Sequence, residues 1–235
     1  MSFGVKGSAV IGGAFYGFLV QPSKGLKLFE VFFGKNEVVH RTPSQLGFTS
    51  FDYIYTMKHL ALLRGINVSG HNMIKMEALK TTLEAIGFTN VVTYIQSGNV
   101  FVESDEESGF SVGFKIKQEI YKTFGHEVPV IVIGKQDLEL CLTNNPFLKD
   151  KEVDTKKLYV AFLSKEMSST AINELKISQF KPDEAVIDGN RIFIKYDIGA
   201  GKTRLDQKYI EKKLNVTATM RNWNTVNKLL EMYDL

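Results

Sequence analysis

Two short segments of the chain combine a guanidinium with several amide side chains. They are LRGINVSG at residues 63–70 and TYIQSGNV at residues 93–100. The side chains in them that could hold a ligand are Arg64, Asn67, Gln96, Ser97 and Asn99. Guanidinium and amide N–H groups are donors that suit a phosphate or carboxylate. These segments therefore predict a small anion site. In the alternative interpretation, the glycines permit tight turns and the amides cap loops through side-chain to backbone bonds.

A second glycine-rich loop, IGAGKTR at 198–204, contains Lys202 and Arg204. It resembles a Walker A motif, but that motif requires a glycine at the position that Tyr196 occupies, so no nucleoside triphosphatase is predicted. We expect the loop to open a helix from Lys202 to Leu214, where its amides and two cations could bind a phosphate. The alternative is a flexible connector followed by a solvated basic helix.

The C-terminal part of the chain is basic. Residues 195–228 contain eight Lys or Arg and three Asp or Glu, whereas the whole chain has a net charge of +3. Cations interleaved with aromatic side chains are typical of nucleic-acid surfaces, so Arg221, Asn222 and Trp223 are predicted to contact a ligand there. In the alternative interpretation, Trp223 is a packing anchor between the last strand and the last helix.

Catalytic and metal-binding patterns are not found in the sequence. The four histidines have no paired-ligand spacing, so no metal or cofactor is predicted and no catalytic residue can be named. Cys141, the only cysteine, stands among leucines and is predicted to be a buried, unreactive thiol. A single cysteine rules out an internal disulfide and favours a reducing compartment.

Hydrophobic periodicity predicts an α+β fold from Met57 onward, with the order β-α-β-β-α-β found twice. We interpret this as two tandem ferredoxin-like units with a C-terminal helix. The first unit is predicted at 57–134, a connecting helix and loop at 135–155, and the second unit at 156–235. The first helix of the second unit is expected at Ser169 to Ile177.

The predicted topology brings the polar residues of the first unit together. A right-handed crossover makes its first and second strands parallel, and the third strand returns between them. The end of the first strand and the turn between the second and third strands therefore share one edge. We expect Arg64 and Asn67 to lie beside Gln96, Ser97 and Asn99, near the free amides of a helix that begins around 72–75.

Residues 1–56 differ from the rest in being rich in glycine and aromatic residues. One interpretation is a β-rich extension with a hairpin turn at 34–36. The favoured one is upstream sequence read from the wrong start codon, and the segment's status is left uncertain.

The composition, with 44% hydrophobic and 23% charged residues, is that of an ordinary soluble protein. The longest apolar run, residues 8–20, is shorter than the roughly 20 residues that a transmembrane helix needs. We therefore predict a protein without a transmembrane helix and without membrane association.

Together with residues 219–225 (TMRNWNT), the two segments at 63–70 and 93–100 resemble the bacterial domain of unknown function 1697 family over roughly Met57 to Leu235. The resemblance implies a cytoplasmic bacterial protein and supplies no catalytic residues. The leading hypothesis is a non-catalytic protein that binds nucleic acid or another phosphate-rich ligand. The alternatives are an enzyme acting on a phosphorylated or acidic small molecule between the two units, and a scaffold that pairs with another protein. The oligomeric state is not predicted.

Overall fold

The computed structural model describes residues 5–11, 14–20, 29–33, 37–41, 56–68 and 70–234, the first four of these ranges by their backbone alone. The chain divides into two compact units. The strands between Val5 and Arg41 belong to one unit, and Lys58–Glu103 with Ser108–Leu235 form the other.

The first compact unit contains a four-stranded antiparallel sheet in the order β1-β2-β3-β4. Its strands are β1 (Val5–Ile11), β2 (Ala14–Val20), β3 (Phe29–Phe33) and β4 (Glu37–Arg41). Strands β3 and β4 pair from Phe33 opposite Glu37 onward, on either side of the predicted turn. The turn residues themselves, 34–36, lie outside the described residues.

The second compact unit contains two further four-stranded sheets. We call residues 58–103 and 108–134 its first half. The order of the strands in space here is β6-β7-β5-β8, with Met57 and Ser104 at two strand ends. The elements here, with the helix that follows, are β5 (Met57–Leu63), α1 (Met76–Ala85), β6 (Thr89–Tyr94), β7 (Asn99–Ser104), α2 (Gly109–Phe124), β8 (Val130–Ile133) and α3 (Lys135–Asn144).

In the second half, residues 156–235, the order is β10-β11-β9-β12 and the strands again pair antiparallel. The regular elements are β9 (Leu158–Leu163), β10 (Glu184–Asp188), β11 (Arg191–Lys195), α4 (Gln207–Leu214), β12 (Ala218–Asn222) and α5 (Trp223–Tyr233). Short 3-10 helices occupy Pro146–Lys149, Thr155–Lys157, Ser169–Leu175 and Ile177–Phe180. The fold is therefore mixed α+β, as predicted.

Alternating side chains give each sheet of this unit two apolar faces. Leu60 and Leu62 point to one side of β5, whereas Ala61 and Leu63 point to the other. The inner faces of both sheets share one core with α3 and α5. The outer face of the first sheet packs against α1 and α2, and that of the second against α4 and the 3-10 helices after β9.

Two helix predictions were wrong in the second half. The segment predicted as a helix at Ser169 to Ile177 forms two 3-10 helices, interrupted where Lys176 adopts a left-handed backbone with φ of 47°. The helix predicted from Lys202 starts only at Gln207, because the Asp206 side chain accepts the Tyr209 N–H at 2.8 Å and caps the helix there. Lys202 and Arg204 thus lie in the preceding loop rather than at a helix N-terminus.

None of the helices in the described part of the chain has both the length and the apolar character that a membrane crossing requires.

Candidate functional site

The three sequence segments meet at the side chain of Arg221, on β12. This residue is only 7% exposed. Its Nε donates to Asn99 Oδ1 at 2.6 Å. One terminal nitrogen donates to Thr219 Oγ1 at 2.8 Å and to the Met220 carbonyl at 2.9 Å. The other lies within hydrogen-bond distance of the carbonyls of Leu63 (3.1 Å), Ser97 (3.1 Å) and Gly98 (3.2 Å).

This arrangement uses every donor of the guanidinium. Arg221 has five N–H groups, and neutral oxygens lie within reach of all three nitrogens that carry them. Burial lowers the pKa of Arg221 to about 10, so the side chain keeps its charge at neutral pH. No N–H remains for an external anion. Arg221 therefore ties β12 of the second half to the end of β5 and the β6–β7 turn of the first half.

Arg64, the guanidinium predicted to bind an anion, is paired within the protein. Its Nε and one terminal nitrogen donate to the two carboxylate oxygens of Glu211 in α4, at 2.7 and 2.5 Å. Glu211 also accepts the Ala218 N–H at 2.9 Å. Such a bidentate pair holds both side chains in a fixed geometry. Arg64 thus makes a second link between the two halves.

Asn67 organises the loop between β5 and α1. Its backbone is left-handed, with φ of 54°. The side chain accepts the Ile74 N–H at 2.8 Å and donates to the carbonyls of Ile74 at 2.9 Å and Gln96 at 3.0 Å. These bonds match the alternative in which the amides hold loops in place. Gln96 itself is exposed at the surface of the turn.

Gly98 explains how closely β5 and the β6–β7 turn approach each other. The Leu63 N–H donates to the Gly98 carbonyl at 2.8 Å. A Cβ at position 98 would lie 2.7 Å from Leu63 Cβ and 2.8 Å from Ile66 Cδ1, and φ there is +79°. Only glycine fits this contact without a shift. The predicted meeting of the two segments is thus observed.

The remaining predicted site residues have different surroundings. Ser97 accepts a hydrogen bond from Asn99 Nδ2 at 3.1 Å. Asn222 caps α5 by accepting the Thr225 N–H at 2.8 Å. Trp223 is 5% exposed and belongs to the shared core, as in the packing alternative. Arg221 and Trp223 therefore do not lie on an exposed nucleic-acid face. Lys202 and Arg204 are exposed and lie in the loop before α4.

Sequence reasoning missed Glu211 and Thr219. Glu211 lies 147 positions from its partner Arg64. The only sign of this pair in the sequence is that an acidic residue stands among the lysines of α4. Thr219 stands two residues before Arg221 on the same strand and donates to the Leu63 carbonyl at 3.4 Å. The period-2 spacing of a strand places Thr219 and Arg221 on the same face.

We expect Arg64 and Glu211 to stabilise each other measurably. Their side chains are 27% and 16% exposed, so solvent screens the pair only partly. A double-mutant cycle with Arg64→Gln and Glu211→Gln, read by urea unfolding, should give a coupling free energy of about 1–2 kcal/mol. A coupling indistinguishable from zero would contradict the role of this pair as a link.

The described residues include no group of acidic, histidine or cysteine side chains arranged to hold a metal. A groove of about 620 Å³ lies between the C-terminal end of α3 and β10, lined among others by Leu142, Asn145, Val186 and Asp188. None of the predicted site residues lines it.

Comparison with known proteins agrees with the sequence resemblance. The model of a family described as protein of unknown function (DUF1697) matches residues 57–193, which include the first two segments but not the third. The structure of the conserved bacterial protein SP0830 from Streptococcus pneumoniae is similar, with a TM-score of 0.57 and 21% identity over 76% of this chain and 99% of that one. A search of curated proteins gave no match. The chain belongs to the DUF1697 family of proteins of unknown function.

Proposed function

We propose that the protein is a non-catalytic binder of nucleic acid or another phosphate-rich polymer. The supporting observation is a group of exposed cations on the helical layer of the second half, which we call the basic face. Its members are Lys176, Lys181, Lys202, Arg204, Lys208, Lys212 and Lys213. Within the described residues, the salt bridges involve other lysines and arginines and none of these.

Contacts between α4 and the 3-10 helices place the lysines of these elements on the same side of the second sheet. The Tyr209 hydroxyl donates to the Leu175 carbonyl at 3.0 Å, directly before Lys176. The rings of Tyr209 and Phe180 meet edge to face with centroids 4.9 Å apart, and Phe180 precedes Lys181. Lys213 lies over the Tyr209 ring, 5.7 Å from its centroid.

The acidic residues nearby leave the charge of this face largely intact. Glu211, in the middle of α4, is neutralised by Arg64 and also accepts the Ala218 N–H. Asp206 accepts a bond from the start of its own helix, and Glu174 remains exposed. A surface with one predominant sign of charge attracts a phosphate backbone and speeds its association. The bound groups would be successive phosphates rather than one enclosed anion.

Removing charge from α4 should therefore weaken binding in a salt-dependent way. For Lys208→Glu/Lys212→Glu/Lys213→Glu, we expect at least a tenfold loss of affinity for fluorescein-labelled oligouridylate at low salt. The slope of log affinity against log salt should become shallower by about 2, since each single-strand phosphate contact contributes roughly 0.7. Fluorescence anisotropy across a salt series measures both quantities.

The matched control is Lys149→Glu/Lys151→Glu/Lys156→Glu, which changes the net charge equally at exposed positions outside the basic face. Equal losses in both variants would show attraction by net charge alone and would contradict a defined face. Failure of the wild-type protein to bind RNA, single-stranded DNA and duplex DNA at low salt would refute the proposal.

We also propose that each half is a ferredoxin-like unit, with the boundaries predicted above. The support is the strand order: in both sheets the first strand of the half lies between the third and fourth. That is the order a β-α-β-β-α-β unit adopts with two right-handed crossovers. In the second half, 3-10 helices replace the first α-helix.

We further propose a cytoplasmic location. Cys141 is fully buried, and burial raises the pKa of its thiol to about 12. A protonated, enclosed thiol is unreactive and fits the reducing compartment favoured by the cysteine content.

A further inference from the structure

The strand β8 ends the first sheet, and its outer edge carries hydrogen-bonding groups. Among the described strands it pairs only with β5. The Arg64 N–H donates to the Pro129 carbonyl at 2.9 Å, so Arg64 and Pro129, which lie opposite each other, form a hydrogen-bonded pair. Because bonded and non-bonded pairs alternate along an antiparallel ladder, Val130 and Val132 turn their N–H and C=O groups away from β5.

This edge has none of the usual protection within the strand. The sequence of β8 is VIVI, without a charged residue, glycine or proline. Proteins commonly protect an edge strand with charges, bulges or a covering element, because unpaired backbone groups recruit another strand. Ile131 and Ile133 are buried in the core between the two sheets, so the strand is firmly held by its own domain.

The helix α2 packs closely over β8. Cβ atoms placed on Gly109 and Gly113 would lie 3.2 Å from Val132 side-chain atoms, so these glycines face the strand. Val112 and Ile116, on one side of the two glycines around the helix, face the core. The rotation of about 100° per residue then places Phe110, Phe114 and Tyr121 on the flank beyond β8.

Those three aromatic side chains are exposed to an unusual degree. Phe110 is 84% exposed, Phe114 52% and Tyr121 58%. With about 200 Å² for a fully exposed aromatic side chain, they leave roughly 390 Å² of aromatic surface uncovered. That is about half of the ~800 Å² that each partner buries in a standard interface, before the strand edge is counted.

We propose that the β8 edge and the aromatic flank of α2 form an interface with a second copy of this chain. A two-fold axis perpendicular to the sheet, passing midway between the Ile131 residues of the two copies, pairs Val130 of each copy with Val132 of the other. The outward N–H and C=O groups of both residues then bond reciprocally, and the two four-stranded sheets become one continuous sheet. The same axis places the two α2 helices on one face, with their aromatic flanks opposed.

A second copy fits this surface because the surface is self-complementary. An isologous interface needs the same patch on both partners, and an antiparallel pair of identical strands supplies it. In the register that centres on Ile131, residues opposite each other point their side chains to the same face, so both α2 helices lie on the same side of the joined sheet. A register shifted by one residue would place them on opposite sides. The dimer interface belongs to the first half, whereas the basic face belongs to the second.

Two variants and one measurement on the wild-type protein test the interface. Phe110→Ser/Phe114→Ser removes exposed rings without disturbing the core, and it should raise the dimer dissociation constant at least tenfold. Val132→Pro removes an outward N–H that does not bond to β5, and an edge strand tolerates proline at such a position. It should also raise the dimer dissociation constant at least tenfold. Ile198→Ser, at a position 44% exposed on a loop of the second half, is the control and should leave the dimer intact.

Sedimentation equilibrium across a range of protein concentrations gives the dissociation constants, and circular dichroism checks that each variant is folded. Hydrogen exchange of the Val130 and Val132 amides in the wild-type protein gives an independent readout. We expect their protection to rise with protein concentration. If Val132→Pro does not fold, the double phenylalanine variant and the exchange data decide.

A wild-type protein that is monomeric at all concentrations, with both amides exchanging freely, would overturn the proposal. So would a dimer that the Phe110→Ser/Phe114→Ser variant leaves unchanged, or concentration-independent protection of Val130 and Val132. The last result would show that another part of the same chain covers the edge.

Discussion

Replacing Arg221 by methionine should destabilise the protein by about 4 kcal/mol or more, the largest effect we expect from a single substitution. The methionine side chain fills similar space but donates no hydrogen bonds. It removes the Arg221 donors from Asn99 Oδ1, Thr219 Oγ1 and the Ser97 carbonyl. Each buried polar group that loses its partner costs about 1–3 kcal/mol. Urea unfolding followed by circular dichroism measures the change in free energy.

Arg221→Lys is the informative control for this prediction. Lysine keeps the positive charge but has a single nitrogen with three donors, so it cannot reach acceptors on both sides as the planar guanidinium does. We expect it to recover less than half of the lost stability. If lysine restored the wild-type stability, charge alone would be important, and the contribution of the separate hydrogen bonds would be refuted. A methionine variant as stable as the wild type would refute both.

Gly98→Ala should be the second most damaging change, at about 2–5 kcal/mol. Two costs combine here: a left-handed backbone, unfavourable by about 1–2 kcal/mol for a residue with a Cβ, and overpacking, which costs about 1–3 kcal/mol. The new methyl group would meet Leu63 Cβ at 2.7 Å, an atom next to the backbone that cannot swing aside. The strand end or the turn must therefore move, which also disturbs the carbonyls around Arg221.

Gly125→Ala separates these two costs. Gly125 has a similar φ of +71°, but a Cβ there would meet nothing within 4 Å. We expect it to cost about 1–2 kcal/mol, from the backbone alone. The difference between the two alanine variants in the same urea assay measures the steric contact at Gly98. Equal losses would mean that the contact adds nothing.

The sequence predicted the meeting of distant segments better than it predicted their chemistry. Chain topology alone brought residues 63–67 beside the turn at 96–99, and the bond between Leu63 and Gly98 confirms that placement. It could not show that Arg64 would find Glu211, because that contact depends on how the second half packs against the first. A guanidinium predicted to bind a ligand is thus paired within the protein.

Arg221 illustrates a more general difficulty. Most of the oxygens that surround it are backbone carbonyls, which every residue has, so no sequence pattern reveals them. An arginine with polar neighbours in the sequence is therefore easily interpreted as a surface residue. Helix starts were also difficult to predict: the glycines near Lys202 suggested a phosphate loop, but the helix cap is Asp206.

The segments at 63–70, 93–100 and 219–225 hold the two halves together, whereas the basic face is the surface that we propose binds phosphate-rich polymers. One experiment compares the two directly: the affinity for labelled oligouridylate of Arg64→Gln/Glu211→Gln and of Lys208→Glu/Lys212→Glu/Lys213→Glu, measured side by side. The first variant leaves the net charge unchanged and removes the Arg64–Glu211 link; the second leaves that link intact. We predict affinity within about twofold of wild type for the first and at least a tenfold loss for the second. Loss of binding in the first variant while it remains folded, with binding retained in the second, would contradict the account.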